Sequence, residues 1–174
     1  MNRNVNFIRV ILIISMIFIL NSCKEEVNGW YVFEWGTNKN LIMSVLNDRQ
    51  IDSTENGITI DDFSMFNHDF FVMLEFDLNS RLTKANMISK ESPGVLMEKF
   101  WESGRISRSG LKTREEAYRY LSYQIVDKYG KPDNVEELQI TDKLRTKTLI
   151  WYFKATTLEL MDSELSLNLK FTPK

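Results

Sequence analysis

One cysteine stands in 174 residues, and its position constrains the rest of the chain. Cys23 follows Arg3, Arg9 and an apolar run from Val10 to Leu20. Positive charge, a short apolar segment and then small residues is the layout of a secretory signal peptide. A helix of eleven residues rises only ~16 Å, whereas a bilayer takes about 20 apolar residues to cross. The run therefore directs export and does not span. The arginines ahead of it hold that end in the cytoplasm.

Leu20-Asn21-Ser22-Cys23 resembles the lipobox of bacterial lipoproteins, Leu-x-(small)-Cys. Asn21 departs from the small or apolar residues commonest at its position; Ser22 and Cys23 match. The resemblance implies that the Cys23 thiol carries diacylglycerol, that residues 1–22 are removed, and that the new amino group is acylated. A lone thiol in an exported chain is otherwise odd, and a thioether to lipid accounts for it. One acyl chain binds membranes reversibly at ~0.8 kcal/mol per buried methylene, so two or three chains make release negligible. Lys24-Glu25-Glu26 next resembles the Lys-(Asp/Glu)-(Asp/Glu) signal that sends lipoproteins of one Gram-negative group to the cell surface. The expected location is the outer membrane, with the surface favoured over the periplasmic face.

Without the signal, 152 residues remain, enough for a single domain that needs no disulfide. They carry 20 basic and 24 acidic side chains. No Lys/Arg run is present, which argues against nucleic acid and against a polybasic membrane patch. The tether, residues 23–29, is short: Lys24 to Gly29 spans at most ~20 Å. The globular part, 30–174, sits close to its membrane.

Along that domain, Gly29–Trp35 reads as a short strand. Thr37 reads as the N-cap of a helix from Asn38 to Asp48 with Leu41, Ile42, Val45 and Leu46 on one face. Strands are expected at Ile58–Ile60, at Phe70–Phe76 (as a buried central strand) and at Leu82–Ile88, with Asp77–Arg81 as a hairpin loop. Residues 91–111 form an irregular insertion with a short helix at Val95–Glu102. Thr113-x-x-Glu116 is a capping box, opening a helix whose stripe is Ala117, Tyr118, Leu121, Ile125, Val126 and Tyr129. Gly130 and Pro132 end it. Lys147–Lys154 is a strand, and Thr157–Met161 with Leu165–Phe171 is a hairpin. The order suggests one helix–three-strand unit used twice, 30–90 and 112–174. The expected class is α+β, a two-layer helix-on-antiparallel-sheet domain.

Trp35-Gly36-Thr37-x-x-x-Leu41 and Tyr129-Gly130-Lys131-Pro132 resemble motifs of the SmpA/OmlA (BamE) outer-membrane lipoprotein domain. Asn47–Gln50 departs from that family's Gly-x-Pro. Tandem helix–three-strand units also resemble the β-lactamase-inhibitor-protein fold.

Chemistry is harder to find. His68 is the only histidine and Cys23 is spent, so no His/Cys metal set forms, and His68 is expected on a loop or strand edge. Asp61, Asp62, Asn67 and Asp69 lack the spacing of a calcium loop and read as solvated loop carboxylates. Glu115-Glu116 suits a helix start; Glu136-Glu137 reads as loop. Trp35, Phe70, Phe76, Trp151 and Phe153 read as core. Phe100-Trp101 with Arg105 and Arg108 is the candidate partner contact, because Trp and Arg dominate binding hot spots; a Trp101 that covers a sheet edge is the plainer alternative. No cofactor is expected. The leading expectation is a non-catalytic binding or scaffold domain contacting another envelope protein. A module for a lipid, glycan or peptide is the alternative, and a carboxylate-based hydrolase a third.

Overall fold

The computed structural model describes residues 26–90, 114–139, 141, 145–163 and 166–174. A two-stranded ribbon, β1 (Gly29–Trp30) and β2 (Phe33–Glu34), leads into helix α1 (Lys39–Val45). Strands β3 (Ile51–Ser53), β4 (Gly57–Met65), β5 (His68–Phe76) and β6 (Leu82–Ser89) follow as a meander. Helix α2 (Arg114–Tyr129) then precedes a second meander, β7 (Asn134–Gln139), β8 (Arg145–Tyr152), β9 (Thr156–Ser163) and β10 (Leu167–Pro173). The meanders join through their last strands into one eight-stranded sheet, ordered β3-β4-β5-β6-β10-β9-β8-β7, with every pair antiparallel.

The expected α+β class is thereby overturned. The chain is mostly β, with a single large sheet, a small ribbon and two helices among the described residues. Two strands escaped the sequence reading for a physical reason. All six residues of β7 are exposed, so no apolar alternation announces it, and β3 is a three-residue edge. The acids Asp61 and Asp62 look like a loop, yet they occupy a bulge between Ile60 and Phe63 through which β4 continues to Met65. The insertion 91–111, including the helix expected at Val95–Glu102, lies outside the described residues.

What holds the sheet together can be read along its register. Ile51, Ile60, Val72, Met87, Leu169, Leu160, Leu149 and Val135 stand side by side, one from each strand. The six central members are buried, each contributing roughly 1.5–3 kcal/mol of transfer free energy. A parallel row, Ile58, Leu74, Ala85, Phe171, Leu158 and Trp151, is buried throughout. Period-2 alternation puts both rows on one face. On β5 the other face carries half-buried Phe71 and exposed Met73 and Glu75, so this strand is dry on one side rather than on both as expected.

Both helices add to that inner face. α1 contributes Ile42, and its C-cap Leu46 joins the same core, whereas Leu41 and Val45 are exposed. Its N-cap is Asn38, whose Oδ1 accepts the Asn40 N–H at 2.9 Å; Thr37, the expected cap, donates its hydroxyl to Glu34 O. α2 buries Ala117, Leu121, Ile125 and Tyr129, with Tyr118 and Val126 packed at the margin. Gly130 closes it at φ +80°, its N–H donating to Val126 O at 2.8 Å, as the sequence suggests. Thr113, the expected cap of α2, lies outside the described residues.

Candidate functional site

Two clefts border the ends of α2. The first, of about 590 Å³, lies where the described chain begins and is lined by Val27, Tyr31, Phe33, Met65, Phe66 and Tyr129 among others. The β1–β2 ribbon forms one wall. Trp30 anchors it, donating Nε1–H to Met87 Sδ at 3.2 Å and lying 5.0 Å from the Phe63 ring. Gly29 at φ +154° lets the ribbon close, since a Cβ there would lie 2.0 Å from Phe33 O. The β4–β5 turn, Phe66-Asn67, forms another wall; a bulge such as that at Asp61-Asp62 bends its hairpin. Phe66 meets Tyr129 edge-on at 6.2 Å, and Lys128 Nζ sits 5.0 Å from the Tyr129 ring and 6.0 Å from Phe66.

The second cleft, of about 600 Å³, is polar. Its floor continues the register of the inner face: Asp162 stands beside Lys147, and Lys147 beside Glu137, on β9, β8 and β7. Arg114, in the first turn of α2, reaches down to Asp162 Oδ1 at 2.9 Å and donates to Ser163 O. Lys147 Nζ lies 2.9 Å from Glu137 Oε1. Burial pushes the Asp162 carboxyl up, with the Arg114 charge opposing. The hydrogen bond from Lys147, helped by its charge, holds Glu137 down. Burial also raises the Tyr118 phenol above the pair. Each carboxylate is held by its own cation, and Lys147 separates the two. The arrangement suits polar recognition better than proton transfer between the acids.

Several residues read from the sequence fall elsewhere. Cys23, Lys24 and Glu25 lie outside the described residues; Glu26 opens them, exposed on the rim of the first cleft and 3.8 Å from Lys154. Phe100, Trp101, Arg105 and Arg108 also lie outside. His68 is not on a loop or an exposed edge. It is buried in β5, between β4 and β6, with Nε2 2.7 Å from Ser89 Oγ and its ring 4.9 Å from Phe70. Desolvation takes its pKa down to about 4, against the pull of Asp69.

Asp61, Asp62 and Asp69 belong to strands rather than loops; Asp62 pairs with Lys90, and Asp69 accepts from Ser64. No group of three or more His, Cys, Asp or Glu placed to hold a metal occurs among the described residues. Glu115 and Glu116 do open α2, whereas Glu136 and Glu137 sit in β7 and not in a loop. Trp35 is only half-buried, its Nε1–H donating to Thr156 Oγ1 at 2.8 Å; Phe70, Phe76, Trp151 and Phe153 are core as expected.

Sequence reasoning passed over both clefts. The polar one gathers residues from α2, β7, β8 and β9, and its only trace is a charge at inward positions, Lys147 and Asp162, of otherwise apolar alternation. The aromatic one was signalled by Phe66-Asn67, a two-residue turn with Asn where a left-handed residue is needed. No known protein family, curated protein or solved structure matches this chain.

Proposed function

We propose that this is a lipid-anchored outer-membrane protein whose sheet domain binds another envelope component without catalysis. The observation that carries the reading is Cys23, the only cysteine, placed directly behind Leu20-Asn21-Ser22 and an eleven-residue apolar run. In this reading Cys23 carries the acyl chains and Lys24-Glu25-Glu26 directs the domain to the cell surface. Phe100, Trp101, Arg105 and Arg108 supply partner contacts. The SmpA/OmlA and β-lactamase-inhibitor resemblances contribute no partner to it.

Mass spectrometry of the native protein tests the anchor: a chain that starts at Cys23 with two or three acyl groups is expected. Cys23→Ala should leave soluble or uncleaved, mislocalised protein. An unmodified thiol, or a start at Met1, overturns the reading. Impermeant protease on intact cells then decides the face, because a surface domain is cut and a periplasmic one is protected. Crosslinking on intact cells followed by affinity capture is expected to recover a specific envelope partner.

Two clefts of roughly 600 Å³ favour a second reading, a small-ligand module, since that size suits a small ligand. Failure to capture a partner, together with a ligand that raises the melting temperature, would select it.

A further inference from the structure

The end of the domain nearest its tether has an unusual build. Two tight turns there, Tyr31-Val32 between β1 and β2 and Phe66-Asn67 between β4 and β5, border the same cleft. Each puts a bulky aromatic at a left-handed backbone angle, Tyr31 at φ +56° and Phe66 at φ +54°. Glycine or asparagine takes such a position at little cost, and a large side chain does not. Residues held against this preference cluster where a surface has work to perform. Tyr31 packs one edge of its ring against Phe63 at 5.2 Å yet is 52% exposed, and Val32 beside it is 65% exposed, so this turn presents apolar surface outward.

We propose that this end of the domain rests on the lipid bilayer, with Tyr31, Val32 and Phe66 in the interfacial layer. The inference rests on the lipid anchor at Cys23 and names the surface that faces the membrane. The described chain begins at Glu26, on the rim of the cleft, three residues after Cys23. Three residues reach at most ~11 Å. Whatever leaflet holds Cys23 is therefore within that distance of this rim.

The side chains match such a neighbour. Tyrosine is amphipathic and favours the membrane–water boundary. Lys128 packs over Phe66 and Tyr129, which places a positive charge beside the same cleft. Leu78, 98% exposed in the β5–β6 turn, offers a contrast. It lies at the other end of β5 from Phe66, about 27 Å along a nine-residue strand.

The test uses the full-length, natively processed protein in phosphatidylethanolamine–phosphatidylglycerol vesicles. An environment-sensitive fluorophore is attached through Val32→Cys, through Tyr31→Cys as a second site, and through Leu78→Cys for contrast. With Cys23 blocked by lipid, the introduced thiol is the only one that labels. The position-32 and position-31 probes are expected to shift their emission to the blue and lose intensity to nitroxide-bearing lipids; the position-78 probe should do neither. A blue shift without nitroxide quenching means that protein or a small ligand covers the turn, and overturns the proposal. Quenching that is equal at positions 32 and 78, or absent at both sites of the ribbon, overturns it as well while leaving the anchor intact. Labelling at Cys23 in addition sinks the anchor, and this orientation with it.

Discussion

His68 shows how a single side chain couples this fold to pH. Its ring is buried in β5 and hydrogen-bonded to Ser89, and desolvation lowers its pKa from 6.5 to about 4. The unfolded chain therefore binds the proton more readily than the folded one between those values. Stability is full above about pH 6.5, falls as the pH drops toward 4, and the histidine's share is constant below. The loss should be on the order of 2–3 kcal/mol. Denaturant unfolding at pH 7.5 and 4.5 measures it, with His68→Gln as the reference that lacks this slope. Equal slopes in parent and variant would show that carboxylates alone account for the pH dependence. Ser80 is a second test at this scale. It sits in the β5–β6 turn at φ +57°, where Asp77 Oδ1 already collects the Asn79 and Arg81 N–H groups at 2.9 Å. Ser80→Gly relieves the left-handed angle and should raise stability by up to about 1 kcal/mol, less whatever chain entropy the glycine adds to the unfolded state. A lower melting temperature would contradict that.

Among the elements, α2 was the most legible, because a helix writes its burial into spacing that survives without tertiary context. Ala117, Leu121, Ile125 and Tyr129 face the sheet where the stripe says they should, and Gly130 ends the helix where a left-handed residue is needed. Gly130→Ala is expected to cost about 1 kcal/mol through the backbone alone, since a Cβ there meets nothing within 4 Å. Leu121→Ala should cost ~2–5 kcal/mol, as a cavity in a closed core does. Thermal melts of the two variants separate a conformational penalty from a packing one. The strands were less legible where their evidence is not in their own side chains. β7 is fixed by backbone pairing to β8, with all six residues exposed, so nothing in Asn134–Gln139 marks a strand, and Glu136-Glu137 looks like a loop. Asp61 and Asp62 reversed the reading of β4 because a bulge turns acids out of a strand that continues beyond them. α1 was shortened for a related reason. Leu41, Ile42, Val45 and Leu46 are spaced as one face, yet only Ile42 and Leu46 find a surface to cover.

At the scale of the whole molecule, the sequence hinted at two similar halves but not at how they meet. The seam is β6 against β10, with Met87 opposite Leu169 and Ala85 opposite Phe171, and register between distant strands has no local signature. The clefts were hidden by the same distance: Arg114, Glu137, Lys147 and Asp162 become neighbours only after α2 and three strands are in place. The seam also decides how the protein unfolds. Buried residues of both halves belong to one cluster, in which Trp30 packs against Phe63 and Met87 of the first meander and Trp151 lies in β8 of the second. Neither half can release its inner face without exposing the other's, so unfolding should be a single transition. Leu169→Ala at the seam should lower stability by ~2–5 kcal/mol and keep that transition single. In urea, fluorescence of two single-tryptophan chains, one keeping Trp30 and the other Trp151 with the remaining three of the four tryptophans replaced by Phe, should give midpoints that coincide with far-ultraviolet circular dichroism of the same protein. Separated midpoints within one variant would mean that the meanders are independent units that touch, and that the continuous apolar row from Ile51 to Val135 is geometry without cooperativity.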